Sequence, residues 1–158
     1  MNKAEFYSEV NSQIKALCDS EPNLIANLAN ISAVLFERLA DINWAGFYVV
    51  GDSVDKSRQE LVLGPFQGRA ACVRIPFGRG VCGTAVSTQQ SMLVEDVHDF
   101  DGHIACDAAS RSEVVVPIVV NDVVVAVLDI DSPIESRFDK DDQLGLESLV
   151  TFIEEIWA

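Results

Sequence analysis

SEVVVPIVVNDVVVAVLDIDS, residues 112–132, is two apolar, β-branched runs separated by Asn121-Asp122. A two-residue connection of this composition closes an antiparallel hairpin, because Asn and Asp tolerate the positive dihedrals that a tight turn between strands requires. Parallel pairing would need a crossover of a dozen or more residues at this point. Pro117 has no N–H to give to a ladder, so it is expected at a bulge or at an outward-facing position. In the second run Asp129 and Asp131 share one face of the strand, with Ile130 on the other.

Working outward, Phe6, Val10, Ile14 and Leu17 recur at helical spacing in 4–17. A second helix is expected with Ser20 as N-cap, Pro22 in its first turn and Leu24, Ile25, Leu28, Ile31, Leu35 and Leu39 buried. NWAGFYVVG (43–51) and QELVLGPF (59–66) read as a hairpin, and ACVRIPF (71–77) as a third strand. A short helix is expected over 81–90, a brief strand at MLVEDV (92–97) and an irregular acidic loop from His98 to Ser110. A final helix from Asp139 would bury Leu144, Leu146, Leu149, Val150, Ile153 and Ile156. The class is α+β: one domain over 1–158, with N-terminal helices at 3–40, sheet and site at 43–133 and a C-terminal helix at 139–157. The N- and C-terminal helices are expected to pack on one face of a central antiparallel sheet.

Eleven basic against twenty-five acidic side chains give a net charge of -14, which repels phosphate backbones and anionic membrane surfaces. Neither nucleic acid nor membrane is expected as a partner, and a cytoplasmic location is expected. Hydrophobic residues make up 49% of the chain, enough for a core without disulfides or metals. Cys18, Cys72, Cys82 and Cys106 are then left with burial, redox chemistry or metal binding. Cys18, inside an amphipathic helix, reads as a small hydrophobe. The spacing of the other three makes no zinc knuckle, so no metal is expected.

Gly78, Gly80 and Gly83 spell G-x-G-x-x-G ahead of a helix, with Glu95 and Asp96 near the position of a ribose contact. A dinucleotide fold needs further parallel strands fed by crossover helices, which the 112–132 hairpin denies. The glycines are instead expected to permit positive dihedrals and to present amides at a helix start. His98 and His103 read as loop hydrogen-bonders, and Arg74, Arg79 and Arg111 as surface cations able to pair with the acidic excess.

WAGFY, ACVRIPFGRGVCGTA, VEDVHDFDGHIACDAASRSEVVVP and AVLDIDS together resemble the free methionine-(R)-sulfoxide reductases, which are single-domain GAF-fold enzymes. The resemblance runs from the second helix to the last. It implies that Cys106 is the nucleophile, Cys72 the resolving thiol and Cys82 an auxiliary thiol near the site. It also implies that Glu113, Asp129 and Asp131 line the substrate pocket, and that Trp44 and Tyr48 wall the substrate methyl group. Free methionine (R)-sulfoxide as substrate, thioredoxin as reductant with no cofactor, and a homodimer are implied in the same way.

The residues bear on that chemistry. Ionised acids would repel a thiolate, but carboxylates crowded into one pocket disfavour joint ionisation, so one remains protonated and can donate to a sulfoxide oxygen. Glu113 is the expected donor, with Asp131 beside it and Asp129 nearer the ammonium. Amides at Gly80-Val81-Cys82 offer partial positive charge to oxyanions. Two other readings stay open: a non-catalytic GAF module that senses a small metabolite, and a redox sensor whose cysteines answer to oxidant.

Overall fold

The computed structural model describes residues 1–102 and 109–157. Helices α1 (Lys3–Cys18) and α2 (Leu24–Arg38) lead into strands β1 (Trp44–Asp52) and β2 (Gln59–Gly68) and the short strand β3 (Arg74–Ile75). Helix α3 (Gly80–Thr88), strand β4 (Met92–Val94) and a 3-10 turn (Val97–Asp99) follow. The chain then forms β5 (Ser112–Val120), β6 (Val123–Ser132) and helix α4 (Lys140–Ile156). The six strands make one sheet in the order β3-β2-β1-β6-β5-β4. Every pairing is antiparallel, in the α+β arrangement expected from the hairpin.

Asn121 and Asp122 sit at φ 53° and 64°, the left-handed pair that lets a two-residue turn follow the twist of its strands. Pro117 stays in register opposite Val127, and the bulge falls one residue later, between Ile118 and Val119. The proline is tolerated because β4 pairs only with Glu113–Val115, so no strand lies outside β5 at Pro117 to need its N–H.

Strand alternation divides the interior in two. Ala45, Phe47, Val114, Val116, Leu128 and Ile130 point to the face covered by α1, α2 and α4. Trp44, Tyr48, Val115 and Val127 point to the opposite face, where α3 packs through Val81, Cys82, Ala85 and Val86.

Several expected boundaries shift. Ser20 is not the cap of α2. It adopts φ 63° in the turn before the helix, while the Asn23 side chain accepts from the Ala26 N–H at 2.9 Å and begins the helix after Pro22. Leu17, Ile25 and Leu144 are 48%, 70% and 54% exposed, and the buried stripes run instead through Cys18, Asn27 and Asp142. The third strand shrinks to Arg74–Ile75 because Pro76 follows and cannot extend the ladder. After Val94 the chain leaves the sheet, and the Asp96 carboxylate caps the 3-10 turn through the His98 N–H at 3.0 Å. No described helix is long and apolar enough to cross a membrane.

Helix α1 is fastened to the start of α4 by buried Asp142. Its carboxylate accepts from the Tyr7 hydroxyl at 2.7 Å and from Lys3 Nζ at 2.6 Å, with Arg137 at 3.6 Å. Asp139 and Asp142 form a capping box on the same turn. The Tyr7 ring reaches this carboxylate by lying flat against Gly145, where an added Cβ would overlap the ring. Gly145→Ala in an open helix would gain about 1 kcal/mol. Here it is expected to lower stability by about 2 kcal/mol through overpacking, read as a lower urea midpoint with an unchanged slope.

Candidate active site

The register of the central strands sets the site. Trp44 lies opposite Asp131, Asp131 opposite Glu113 and Glu113 opposite Val94, so one row crosses four strands. The next row on the same face carries Gly46, Asp129 and Val115. Two rows of one pleated face thus bring three carboxylates and an indole together.

Helix α3 roofs this face. Gly80 at φ 62° turns the chain into the helix, and an added Cβ at Gly83 would come within 2.6 Å of the Pro76 carbonyl oxygen. The Gly78 and Gly83 N–H groups donate to the Gly83 and Arg79 carbonyls, and Gly80 N–H donates to Gly102 O at 3.0 Å. The glycine motif therefore serves a tight entry into a closely packed helix. Glu95 and Asp96 are engaged elsewhere: the Glu95 carbonyl accepts from Ser136 N–H, and the Asp96 carboxylate faces Arg111 at 3.5 Å.

Between roof and sheet lies a cavity of about 50 Å³, lined by Trp44, Tyr48, Val81, Cys82, Glu113, Asp129 and Asp131. These are the expected substrate-contacting residues, gathered in one place. Trp44 stacks between Tyr48, with centroids 5.8 Å apart, and Phe66, at 5.1 Å. The indole N–H donates to Arg69 O at 3.2 Å and the Tyr48 hydroxyl to Cys72 O at 2.8 Å. Half-buried Cys72 is thereby held next to Ala71 on the cavity wall. Cys106 and His103 lie outside the described residues.

The cavity's electrostatics follow from crowding in a dry place. Burial pushes the Glu113 carboxyl well above the ordinary carboxylate range, and the charges of Asp129 and Asp131 push it further. Burial also raises Asp129, but hydrogen bonds from Glu113, Cys82 and Asp131 work against that rise. Glu113 is accordingly the carboxyl whose acid form the cavity favours most, and Asp129 the one that its neighbours' hydrogen bonds hold back from the same rise. Burial, then the charges of Asp129, Glu113 and Asp131, raise the Cys82 thiol well above its usual value. Cys82 is a free thiol whose Sγ lies 3.9 Å from Glu113 Oε2 and within reach of Asp129, so its surroundings oppose thiolate formation. Tyr48 is raised as well, by burial and by the same acids, and stays neutral.

Two cations stand at the mouth. Arg69 and Arg79 are exposed, line the cavity and form no ion pair among the described residues. Arg74 and Arg111 behave as the surface reading expects, facing Glu60 at 3.0 Å and Asp96 at 3.5 Å. Sequence reasoning passed over Arg69 and left Arg79 on the surface. Arg69 reaches the cavity because Gly68 pairs with Trp44, a register that no local signal announces.

A GAF-domain family model matches residues 26–157. The free methionine-R-sulfoxide reductase of Escherichia coli (strain K12) is 56% identical, covering 100% of this chain and 92% of that protein. The fRMsr of Staphylococcus aureus in complex with substrate superposes with a TM-score of 0.88 at 50% identity, covering 96% of this chain and 95% of that one. The free methionine-R-sulfoxide reductase of Neisseria meningitidis in complex with its substrate gives a TM-score of 0.92 at 44% identity, covering 99% and 91%. With three carboxylates and two stacked aromatics facing one cavity, and with identity along the whole chain, this protein belongs to the free methionine-R-sulfoxide reductase family of GAF-domain proteins.

Proposed function

We propose that this protein reduces free L-methionine (R)-S-oxide to L-methionine. The observation that carries the reading is the meeting of Glu113, Asp129 and Asp131 in one cavity walled by stacked Trp44 and Tyr48, where burial pushes Glu113 furthest toward its acid form. A zwitterionic substrate fits this polarity. Its ammonium meets Asp129, its methyl group meets the aromatic wall, and its carboxylate meets the guanidinium groups of Arg69 and Arg79 at the mouth. The sulfoxide oxygen takes a hydrogen bond from the Glu113 acid, with Asp131 beside it. Protonation makes the sulfur electrophilic and gives the departing oxygen its proton.

The Cys106 thiolate attacks the substrate sulfur. The protonated oxygen leaves as an S–S bond forms between Cys106 and the substrate. The oxygen, as hydroxide or water, then attacks the Cys106 sulfur, the S–S bond breaks with its pair going to methionine, and Cys106 is left as a sulfenic acid. The Cys72 thiol then displaces water to give a disulfide, and a dithiol of the thioredoxin class reduces it. Cys72 is disulfide-bonded in this structure, which supports its place in such an exchange. Cys82 serves as a neutral hydrogen-bond donor to the acids. A homodimer and a cytoplasmic location complete the reading on family resemblance and composition.

NADPH oxidation coupled through thioredoxin is expected with free methionine (R)-sulfoxide and not with the (S) epimer or peptide-bound sulfoxide. Cys106→Ser should abolish it, and turnover of all three substrates alike would overturn the reading. Arg79→Ala is expected to raise KM about tenfold with little change in kcat, as for a lost charge-assisted contact. Methionine sulfoxide amide, which lacks the anionic carboxylate, should be a poor substrate for the wild type and no poorer for Arg79→Ala. Glu113→Gln is expected to lower kcat at least about a hundredfold. Its stability should move the other way. A buried acid with a raised folded pKa loses stability as pH rises above its unfolded value of about 4.3, since the unfolded chain releases the proton first. The variant's Tm should therefore match wild type near pH 4 and exceed it by a few degrees at pH 8, measured by circular dichroism.

A further inference from the structure

Cys82 Sγ, a Glu113 oxygen and an Asp129 oxygen lie within 4.8 Å of one another, on three buried residues. Asp129 lines the cavity at 4% exposure, and its buried Oδ1 has no hydrogen-bond partner among the described residues. A buried carboxylate oxygen with no donor is destabilising unless something positive meets it. During turnover the substrate ammonium would do so. Between turnovers no described residue does so.

One thiol and two carboxylates form a donor set for a borderline-soft divalent cation. Zinc takes sulfur at about 2.3 Å and carboxylate oxygen at about 2.0–2.2 Å, which in a tetrahedral site places these ligand atoms about 3.3–3.7 Å apart. The Cys82–Glu113 separation of 3.9 Å lies just outside that range and closes to it with a shift of about 0.2 Å. Magnesium and calcium are poor matches, because they require six or more oxygens and gain little from sulfur.

We propose that the reduced protein binds one zinc-class cation through Cys82, Glu113 and Asp129, and that the bound ion excludes substrate from the cavity. On binding, the Cys82 thiol and the Glu113 acid each release a proton to solvent, and the ion's two positive charges offset the charge they leave behind. The exclusion rests on the reading of this cavity as the substrate pocket. The binding does not.

Co²⁺ serves as the spectroscopic probe on the reduced full-length chain. One equivalent should produce a thiolate-to-cobalt charge-transfer band, which Zn²⁺ erases on displacement. The band should vanish in Cys82→Ser and persist in Cys72→Ser and Cys106→Ser. Because Cys82 is buried, the isosteric Asp129→Asn gives a second reading: its Zn²⁺ affinity by calorimetry should fall at least about tenfold. Mg²⁺ should give no heat. A band that survives Cys82→Ser, one that is lost in Cys72→Ser or Cys106→Ser, or wild-type affinity in Asp129→Asn would overturn the site. Zn²⁺ should also raise the apparent KM for the sulfoxide. Tight binding without that effect would leave the cation site standing and overturn the exclusion, while binding in a protein with no sulfoxide turnover would count against the proposed activity alone.

Discussion

The pairing of β5 with β6 is the constraint on which the cavity depends. Glu113 sits opposite Asp131, and Asp129 opposite Val115, so all three acids share the face under α3. A slip of one residue would turn them toward the face covered by α1, α2 and α4, among Leu128, Ile130 and Val114. The left-handed pair Asn121-Asp122 fixes that register at the turn, and the bulge after Ile118 absorbs the adjustment away from the site. Chemistry at one end of the hairpin is set by backbone geometry at the other.

Three carboxylates in a dry cavity oppose folding, and the surrounding structure carries that strain. The stacked Trp44, Tyr48 and Phe66 bury large rings on the same face, and the indole and phenol both find backbone acceptors. Proton sharing among Glu113, Asp129 and Cys82 keeps the cavity from holding the full negative charge its composition would give. Polarity inside and positive charge at the rim give the cavity a direction, acid at the floor and guanidinium at the mouth.

Much of this was legible in the sequence. The hairpin, the positions of the helices and the alternation of Asp129 and Asp131 are local patterns that depend on residues two to four apart, and each appears where its period places it, although the buried helix stripes omit Leu17, Ile25 and Leu144. Ends were harder to read. Ser20 and Asn23 are both good caps, and only the path of the chain into α2 decides between them. MLVEDV looked like a strand until the Asp96 side chain offered the backbone another hydrogen bond. Arg69 carried no motif that set it apart from other surface cations, and the glycine motif around Arg79 did not say which way its side chain turns. Their position depends on β1–β2 pairing and on where α3 begins, which are properties of the assembled sheet.

The placement of α3 has a mechanical consequence. The strands it connects, β3 and β4, are the two outermost of the sheet, so the helix is a strap drawn across the full width and buckled at both margins. Each buckle is brief, two residues on one side and three on the other. Fraying of either margin would slacken the roof while the hydrophobic layer beneath α1, α2 and α4 stayed whole, so the cavity can breathe on a timescale and at a free energy separate from global unfolding.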